Sequence, residues 1–346
     1  MKSNWQSFLI SAGARRSAAG VESFGDSGAE ASAVAHGTVL CDLSQYGLIR
    51  FSGEDSQQYL QSQLSCDADA MAAGTVQYGS YCTPQGRMLA SFMLWKDETS
   101  YWMQLALSLL EPIRKRLATY ILRSKVKAMD ASDEYVLLGI AGKQPEAALK
   151  SVFGSVPATP LHFTTTRNAQ LLRLDANRFQ VVTSAEAAPE IWSAIRTSAT
   201  PVGSTTWDWL QIRSGIPVIT PATQEQFVPQ MANLDLIGGV SFSKGCYPGQ
   251  EIVARMHYLG RLKQRMYLAN IAANETPKPG DKLFSGDMRD QASGMIVNAA
   301  PSPEGGHDVL AVIQIESAQH RDIHWKSPDG PLLKFLELPY MLSSSA

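Results

Sequence analysis

Cysteine is scarce in this chain, with four in 346 residues, at Cys41, Cys66, Cys82 and Cys246. They lie far apart, no C-x-x-C occurs, and no spacing suits a zinc site. Long hydrophobic runs are missing too, none approaching the ~18 residues of a membrane span. Neither sign of charge dominates: 30 Lys and Arg against 32 Asp and Glu leave a formal net charge of −2. That excludes a globally basic nucleic-acid binder while leaving local basic patches open. No G-x-G-x-x-G follows a strand pattern and no G-x-x-x-x-G-K-[ST] appears, so dinucleotide and nucleoside-triphosphate folds have no support. H-E-x-x-H and G-x-S-x-G are absent as well. His320 and His324 stand four apart but are read as surface residues, and no metal site is expected. Internal repeats, heptads and low-complexity tracts are missing apart from a Ser-rich tail.

What is present fits a soluble globular protein of two or three domains, 45% hydrophobic and 18% charged. Residues 1–36 are rich in Ala, Ser and Gly and include Arg15-Arg16, yet Glu22, Asp26 and Glu30 argue against a transit peptide. A secretory apolar core is lacking. Trp5, Phe8, Leu9 and Ile10 read as a short amphipathic helix leading into a loop, so residues 1–38 are set apart as an N-terminal extension of a cytoplasmic protein.

Residues 39–51 alternate as strands around a turn at 45–47, and Ser52-Gly53-Glu54-Asp55 has the shape of a helix start. Residues 78–81 and 88–95 read as strands around the turn Thr83-Pro84-Gln85-Gly86. Pro112 is expected to open a helix with Ile113, Leu117 and Ile121 on one face. Arg114, Lys115, Arg116, Arg123, Lys125 and Lys127 follow with no acid until Asp130. Such a run is either a solvated face or a strip for a phosphate backbone or polyanionic tail.

Residues 135–200 show a β-α-β-β-α order, the split βαβ of ferredoxin-like folds. The strands are placed at 136–141, 171–174 and 179–183, and the helices at 145–153 and 187–195. Residues 207–213 form a helix ended near Gly215. From Arg261, Lys263 and Arg265 onward, short strands at 283–284, 294–298, 309–315 and 332–336 describe a small antiparallel β-barrel.

The most distinctive stretch runs from Phe242 to Tyr258, F-S-K-G-C-Y-P-G-Q-E-I-V-A-R-M-H-Y. A helix is expected to start near Gly249 or Gln250, with Ile252, Val253 and Met256 on one face and Glu251 and Arg255 paired at i, i+4. Cys246 then sits just before a helix N-terminus, with Lys244 near it. Both would favour thiolate over thiol and make the sulfur a better nucleophile or metal ligand. The plainer reading is a small buried hydrophobe capping a loop. One Cys246 alone does not hold an iron–sulfur cluster, which normally takes four thiolates.

The run Lys244-Gly245-Cys246-Tyr247-Pro248-Gly249-Gln250-Glu251 resembles the K-G-C-[YF]-x-G-Q-E signature of YgfZ-type folate-binding proteins, relatives of the glycine cleavage T-protein (aminomethyltransferase). The landmarks Asp42-Leu43-Ser44, Gly53-x-Asp55 and Thr83-x-x-Gly86-Arg87 resemble the first folate-binding segment of that superfamily. The resemblance spans about residues 42–336. It implies an α+β fold: a three-domain T-protein-like ring with a ferredoxin-like middle domain and a C-terminal β-barrel. The implied domains are a discontinuous folate-binding domain at 39–130 plus 200–260, a ferredoxin-like domain at 131–199, and a barrel at 261–346.

It further implies tetrahydrofolate or a one-carbon derivative as cofactor, with Gln211, Arg213, Tyr247, Gln250 and Glu251 as the residues holding it or its loop. Cys246 is implied as the reactive thiol and Lys244 as its activator. The implied role is support of iron–sulfur cluster assembly or repair in client enzymes, including radical enzymes that modify tRNA. Implied partners are folate, iron–sulfur client or assembly proteins, and tRNA or an RNA-modifying enzyme; no membrane is implied. The basic strips 114–127 and 261–265 are candidates for a polyglutamate tail or an acidic or RNA-bearing partner. Where aminomethyltransferases carry a pair of aspartates after the Gly-rich turn, this chain has Ala90 and Ser91, so no carboxylate is available for aminomethyl transfer. A folate-dependent aminomethyltransferase and a tRNA-binding module without folate chemistry remain the competing readings.

Overall fold

The computed structural model describes residues 2–17, 20–289 and 291–342. They form two compact units, one of residues 1–56, 71–77 and 93–207, the other of residues 57–70, 78–92 and 208–346.

In the first unit a six-stranded sheet runs in the order His162–Thr165, Ala169–Arg173, Arg178–Ser184, Tyr135–Gly142, Thr38–Asp42, Thr200–Val202. The last pair is parallel and the others antiparallel. The expected β-α-β-β-α elements are present, with helices at Pro145–Phe153 and Ala188–Ile195. Three further strands join that pattern, at His162–Thr165, Thr200–Val202 and Thr38–Asp42. Thr38–Asp42, read in sequence as the partner of the strand after it, lies between Tyr135–Gly142 and Thr200–Val202 instead. All five of its residues are buried, which suits a strand flanked on both edges and covered on both faces.

The N-terminal segment belongs to this unit's core. The expected helix forms at Lys2–Ser11, but Trp5, Leu9 and Val21 are buried with Leu40, Leu138, Phe179 and Trp192. The Trp5 and Trp192 rings meet edge to face at 5.7 Å, and Trp5 Nε1 donates to Asp42 Oδ1 at 2.8 Å. Burial pushes the Asp42 carboxyl up, against the lowering effect of its bonds to Ser44 and Trp5.

A second set of strands in this unit centres on Tyr46–Ser52, which pairs antiparallel with Ser100–Ala106 and with Lys127–Asp130. Residues 93–96 extend the ladder beyond Ser100–Ala106. That strand is buried at all seven positions and so shows no period-two pattern, which is why the sequence concealed it. The helix that follows spans Leu107–Thr119 and begins five residues before the expected Pro112 start. Leu109 and Leu110 set its origin, since both are buried with Ile113 and Leu117. Three of the six basic residues nearby are already paired: Arg114 and Lys115 with Glu111, at 2.9 and 3.2 Å, and Lys125 with Glu54 at 2.7 Å.

The second unit carries a six-stranded antiparallel sheet in the order Ile323–Trp325, Lys282–Ser285, Ala292–Pro301, His307–Gln314, Gln264–Ile271, Leu333–Leu336. Register shifts at Leu283/Phe284 and Ile296/Asn298 help to curl it. Its core is Ala269, Leu283, Ile296, Val309, Ile313 and Trp325. The expected small antiparallel β-barrel is a curled half-barrel. Edge strands of three and four residues are too short for a closing ladder, and among the described residues the edges meet at the bridged pair His324 and Leu332.

Candidate functional site

The Cys246 loop is built on a tight turn. Gly86 N–H donates to Thr83 C=O at 2.9 Å, with Gly86 at φ +74°. Gly249 stands over that turn at φ +83°, so close that a Cβ there would lie 2.4 Å from Thr83 O and 2.6 Å from Gly86 Cα. Only glycine combines that left-handed conformation with that approach. The helix Gln250–Tyr258 starts immediately afterwards, where the sequence placed it. Its apolar face is narrower than expected: Val253 is fully buried, Met256 half-buried, and Ile252 exposed.

Two buried side chains flank Cys246. Lys244 Nζ donates to the carbonyls of Leu64 and Cys66, both at 2.7 Å, and lies 5.3 Å from the centre of the Tyr247 ring. Burial lowers its pKa, opposed by the charges of Asp67 and Asp69. Tyr247 is buried, its hydroxyl has no hydrogen-bond partner among the described residues, and desolvation pushes its ionisation up. Gln250 Nε2 donates back to the Lys244 carbonyl at 3.1 Å. Glu251 faces outward and pairs with Arg255 at 2.8 Å.

Between these anchors Cys246 is exposed, whereas Cys41, Cys66 and Cys82 are buried. Burial pushes the Cys66 and Cys82 thiols up to about 12, which keeps them protonated and unreactive at neutral pH. The sequence placed Lys244 as the activator of the thiol. In the structure its ammonium is committed to the Leu64 and Cys66 carbonyls, and its evident work is to pin the loop.

Several residues that support this loop carried no signal in the sequence. Ser65 Oγ donates to Gly239 O at 2.7 Å and accepts from Ser80 N–H at 2.8 Å, while Ser241 N–H donates to Ser65 O at 2.9 Å. Gln230 Nε2 donates to Val253 O at 2.7 Å. Arg265, read as part of a basic strip, makes a two-pronged bond to Asp235 at 2.7 and 2.9 Å and a third to Gln230 O at 2.8 Å. Its charge is therefore spent inside the unit.

The GCVT N-terminal domain family matches residues 17–237. Over 306 residues the chain is 33% identical to the tRNA-modifying protein YgfZ of Shigella sonnei (strain Ss046), covering 88% of this chain and 93% of that protein. It is 32% identical over the same length to the protein of that name from Escherichia coli (strain SMS-3-5 / SECEC). The chain belongs to the YgfZ family. The glycine cleavage system aminomethyltransferase T from Bartonella henselae shares the fold, with a TM-score of 0.80 over 96% of both chains at 15% identity.

The remaining candidates of this YgfZ-family chain lie on the helix Ser204–Arg213 and around residue 91. Arg213 is half-buried and stands 3.6 Å from Asp308, a carboxylate that also accepts from Trp209 Nε1 at 2.8 Å. That single long ion pair leaves guanidinium donors for a ligand carboxylate. Gln211 is half-buried on the same helix. Ala90 is fully buried. Ser91 Oγ donates to Pro217 O at 2.9 Å and accepts from Ile219 N–H at 3.0 Å, so its hydroxyl fastens the 217–219 segment. His324 is held by Asp322 and by the Gly330 carbonyl, at 2.9 and 2.8 Å. Among the described residues no three His, Cys, Asp or Glu side chains group as a metal site, and no helix is long and apolar enough to cross a membrane.

Proposed function

We propose that this protein binds tetrahydrofolate, or a one-carbon derivative of it, within a three-domain ring of the T-protein type. In this reading it supports assembly or repair of iron–sulfur clusters in client enzymes, including radical enzymes that modify tRNA. Cys246 is its reactive thiol, and the cluster is the client's cargo rather than a resident cofactor. The observation that carries this reading is the contrast between Cys246, exposed at the crest of a pinned loop, and three buried cysteines. A sulfur displayed in that way is arranged to meet a partner, whereas a capping hydrophobe would be covered.

Two features support the folate half. Tyr247 Oη is a buried polar atom without a partner among the described residues, and Arg213 has donors left over from its pair with Asp308. Buried polar groups are rarely left unmatched unless something else satisfies them. Tyr247 and Arg213 would thus hold polar edges of the bound folate, while Gln250 shapes the loop. Bound folate would supply a one-carbon carrier. The competing aminomethyltransferase reading is weakened because Ser91 is occupied as a backbone fastener and Ala90 carries no polar group.

The test is complementation of a strain deleted for its own protein of this family. Cys246→Ala should fail to restore cluster-dependent enzyme activity while keeping wild-type affinity for tetrahydrofolate. Full restoration by Cys246→Ala would falsify the thiol assignment. Absence of saturable tetrahydrofolate binding by the wild-type protein would remove the folate assignment.

A further inference from the structure

The far end of the Gln250–Tyr258 helix carries an aromatic group that the thiol chemistry does not use. Phe242 and His257 stack with ring centres 3.8 Å apart and planes 12° from parallel. Tyr258 meets both edge-on, 4.8 Å from His257 and 6.3 Å from Phe242. Rings that pack this closely usually lie in a core, yet Tyr258 is 65% exposed and Leu259 86% exposed. His257 is exposed as well. The cluster is ordered by its own contacts and open to solvent on its outer side.

The chain that leaves this cluster is free of acid. No Asp or Glu lies between Glu251 and Glu275, while Arg255, His257, Arg261, Lys263 and Arg265 all do. Arg255 and Arg265 are paired with Glu251 and Asp235. Arg261 and Lys263 are exposed and line a groove of about 760 Å³ whose walls include Tyr267, Gln314, Ser317 and Gln319. The acids on its walls are Glu316 and Asp287, and Asp287 is already held by Ser317 Oγ at 2.7 Å.

We propose that this face binds an unpaired RNA strand. A base stacks on the open side of Tyr258 and His257, and the neighbouring phosphates reach Arg261 and Lys263 where the strand enters the groove. Exposed aromatic steps beside a cationic channel are how single strands are held, since every base offers a π face and every linkage a negative charge. A duplex would keep its bases stacked and leave the rings without a partner. An acidic peptide would satisfy the cations and still leave the rings bare. RNA is the strand favoured because the relatives at 33% and 32% identity are named tRNA-modifying proteins. The inference uses neither Cys246 nor bound folate, so it stands or falls apart from the reading above.

The probe is a fluorescently labelled, unstructured RNA of about ten nucleotides, followed by anisotropy on the full chain. At low salt, saturable binding is expected, and the log–log salt slope should lie near −1.4, about 0.7 for each of two phosphates. Tyr258→Ala should weaken binding about tenfold and Tyr258→Phe about twofold or less, because stacking and not the hydroxyl is used. The double variant Arg261→Gln, Lys263→Gln should weaken it about tenfold or more and flatten the slope toward zero. The three substituted residues are exposed, and circular dichroism with a urea midpoint on the same samples reports that each variant is folded. Absence of RNA binding at low salt overturns the proposal, as does equal binding by Tyr258→Ala. Displacement of the RNA by a decaglutamate peptide that binds Tyr258→Ala as well as wild type would make the face a site for acidic proteins, and also overturns it.

Discussion

At the scale of single residues, the site separates sulfurs by exposure. Cys66 and Cys82 are sealed, with thiols pushed up by burial to about 12 from an ordinary 9.0. The unfolded chain releases those protons near its ordinary thiol value, while the folded chain holds them to about 12. Stability contributed by the protonated thiols is therefore complete below pH 9 and is lost as pH climbs toward 12. Lys244 acts with the opposite sign: its lowered value means the unfolded chain keeps that proton longer, so its own term rises with pH below 10.5. Urea midpoints from pH 8 to 11 should fall less steeply for the Cys66→Ala, Cys82→Ala double variant than for wild type. A gap between the two proteins that stays constant with pH would refute the assignment. Lys244 also shows what spacing in a sequence does not convey. Two residues from Cys246 it looks like an activator, but the direction of its side chain is decided by carbonyls at Leu64 and Cys66, far away in the chain.

At the scale of elements, the loop and its helix depend on two glycines in contact. Gly249→Ala places a methyl group 2.4 Å from Thr83 O at a left-handed backbone position. The expected cost is about 2–4 kcal/mol, combining backbone strain with overpacking. Urea denaturation reads that cost, and maleimide labelling of Cys246 should change in rate as the start of the helix shifts. Unchanged stability and labelling would mean the approach to the turn is not constrained. The start of this helix and the Thr83–Gly86 turn were legible because both rest on local chemistry. So were the ferredoxin-like helices, with Pro145–Phe153 matching the expected bounds. Fully buried strands such as Ser100–Ala106 were not, having no face exposed to create alternation. The early start of Leu107–Thr119 was hidden for a related reason, since Pro112 is a strong local signal and the burial of Leu109 and Leu110 is a tertiary one.

At the scale of the whole molecule, the N-terminal segment was misread as an appendage because composition rich in Ala, Ser and Gly says nothing about what covers a tryptophan. Trp5 is 2% exposed, stacks with Phe8, meets Trp192 edge-on and bonds Asp42. Trp5→Ala should cost about 3–5 kcal/mol, the range for emptying a buried aromatic site, and should lower Tm by differential scanning calorimetry. A loss below about 1 kcal/mol, well outside that range, would return the segment to the status of an extension. The half-barrel was half legible: short alternating strands gave the sheet, but the number of residues in its edge strands, which decides closure, lay within the error of any boundary drawn from sequence.

The fastening of the loop on both sides of Cys246 has a consequence for those who meet it. Lys244 and Tyr247 on either side of it are buried, while the sulfur itself is exposed. If Cys246 is the reactive thiol proposed above, a client would have to bring its own reacting centre to that exposed loop, through a hollow that admits it. Which enzymes are served would then be decided by the contour of the visitor, and a cluster recessed under a flat lid would be passed over however well its charge matched.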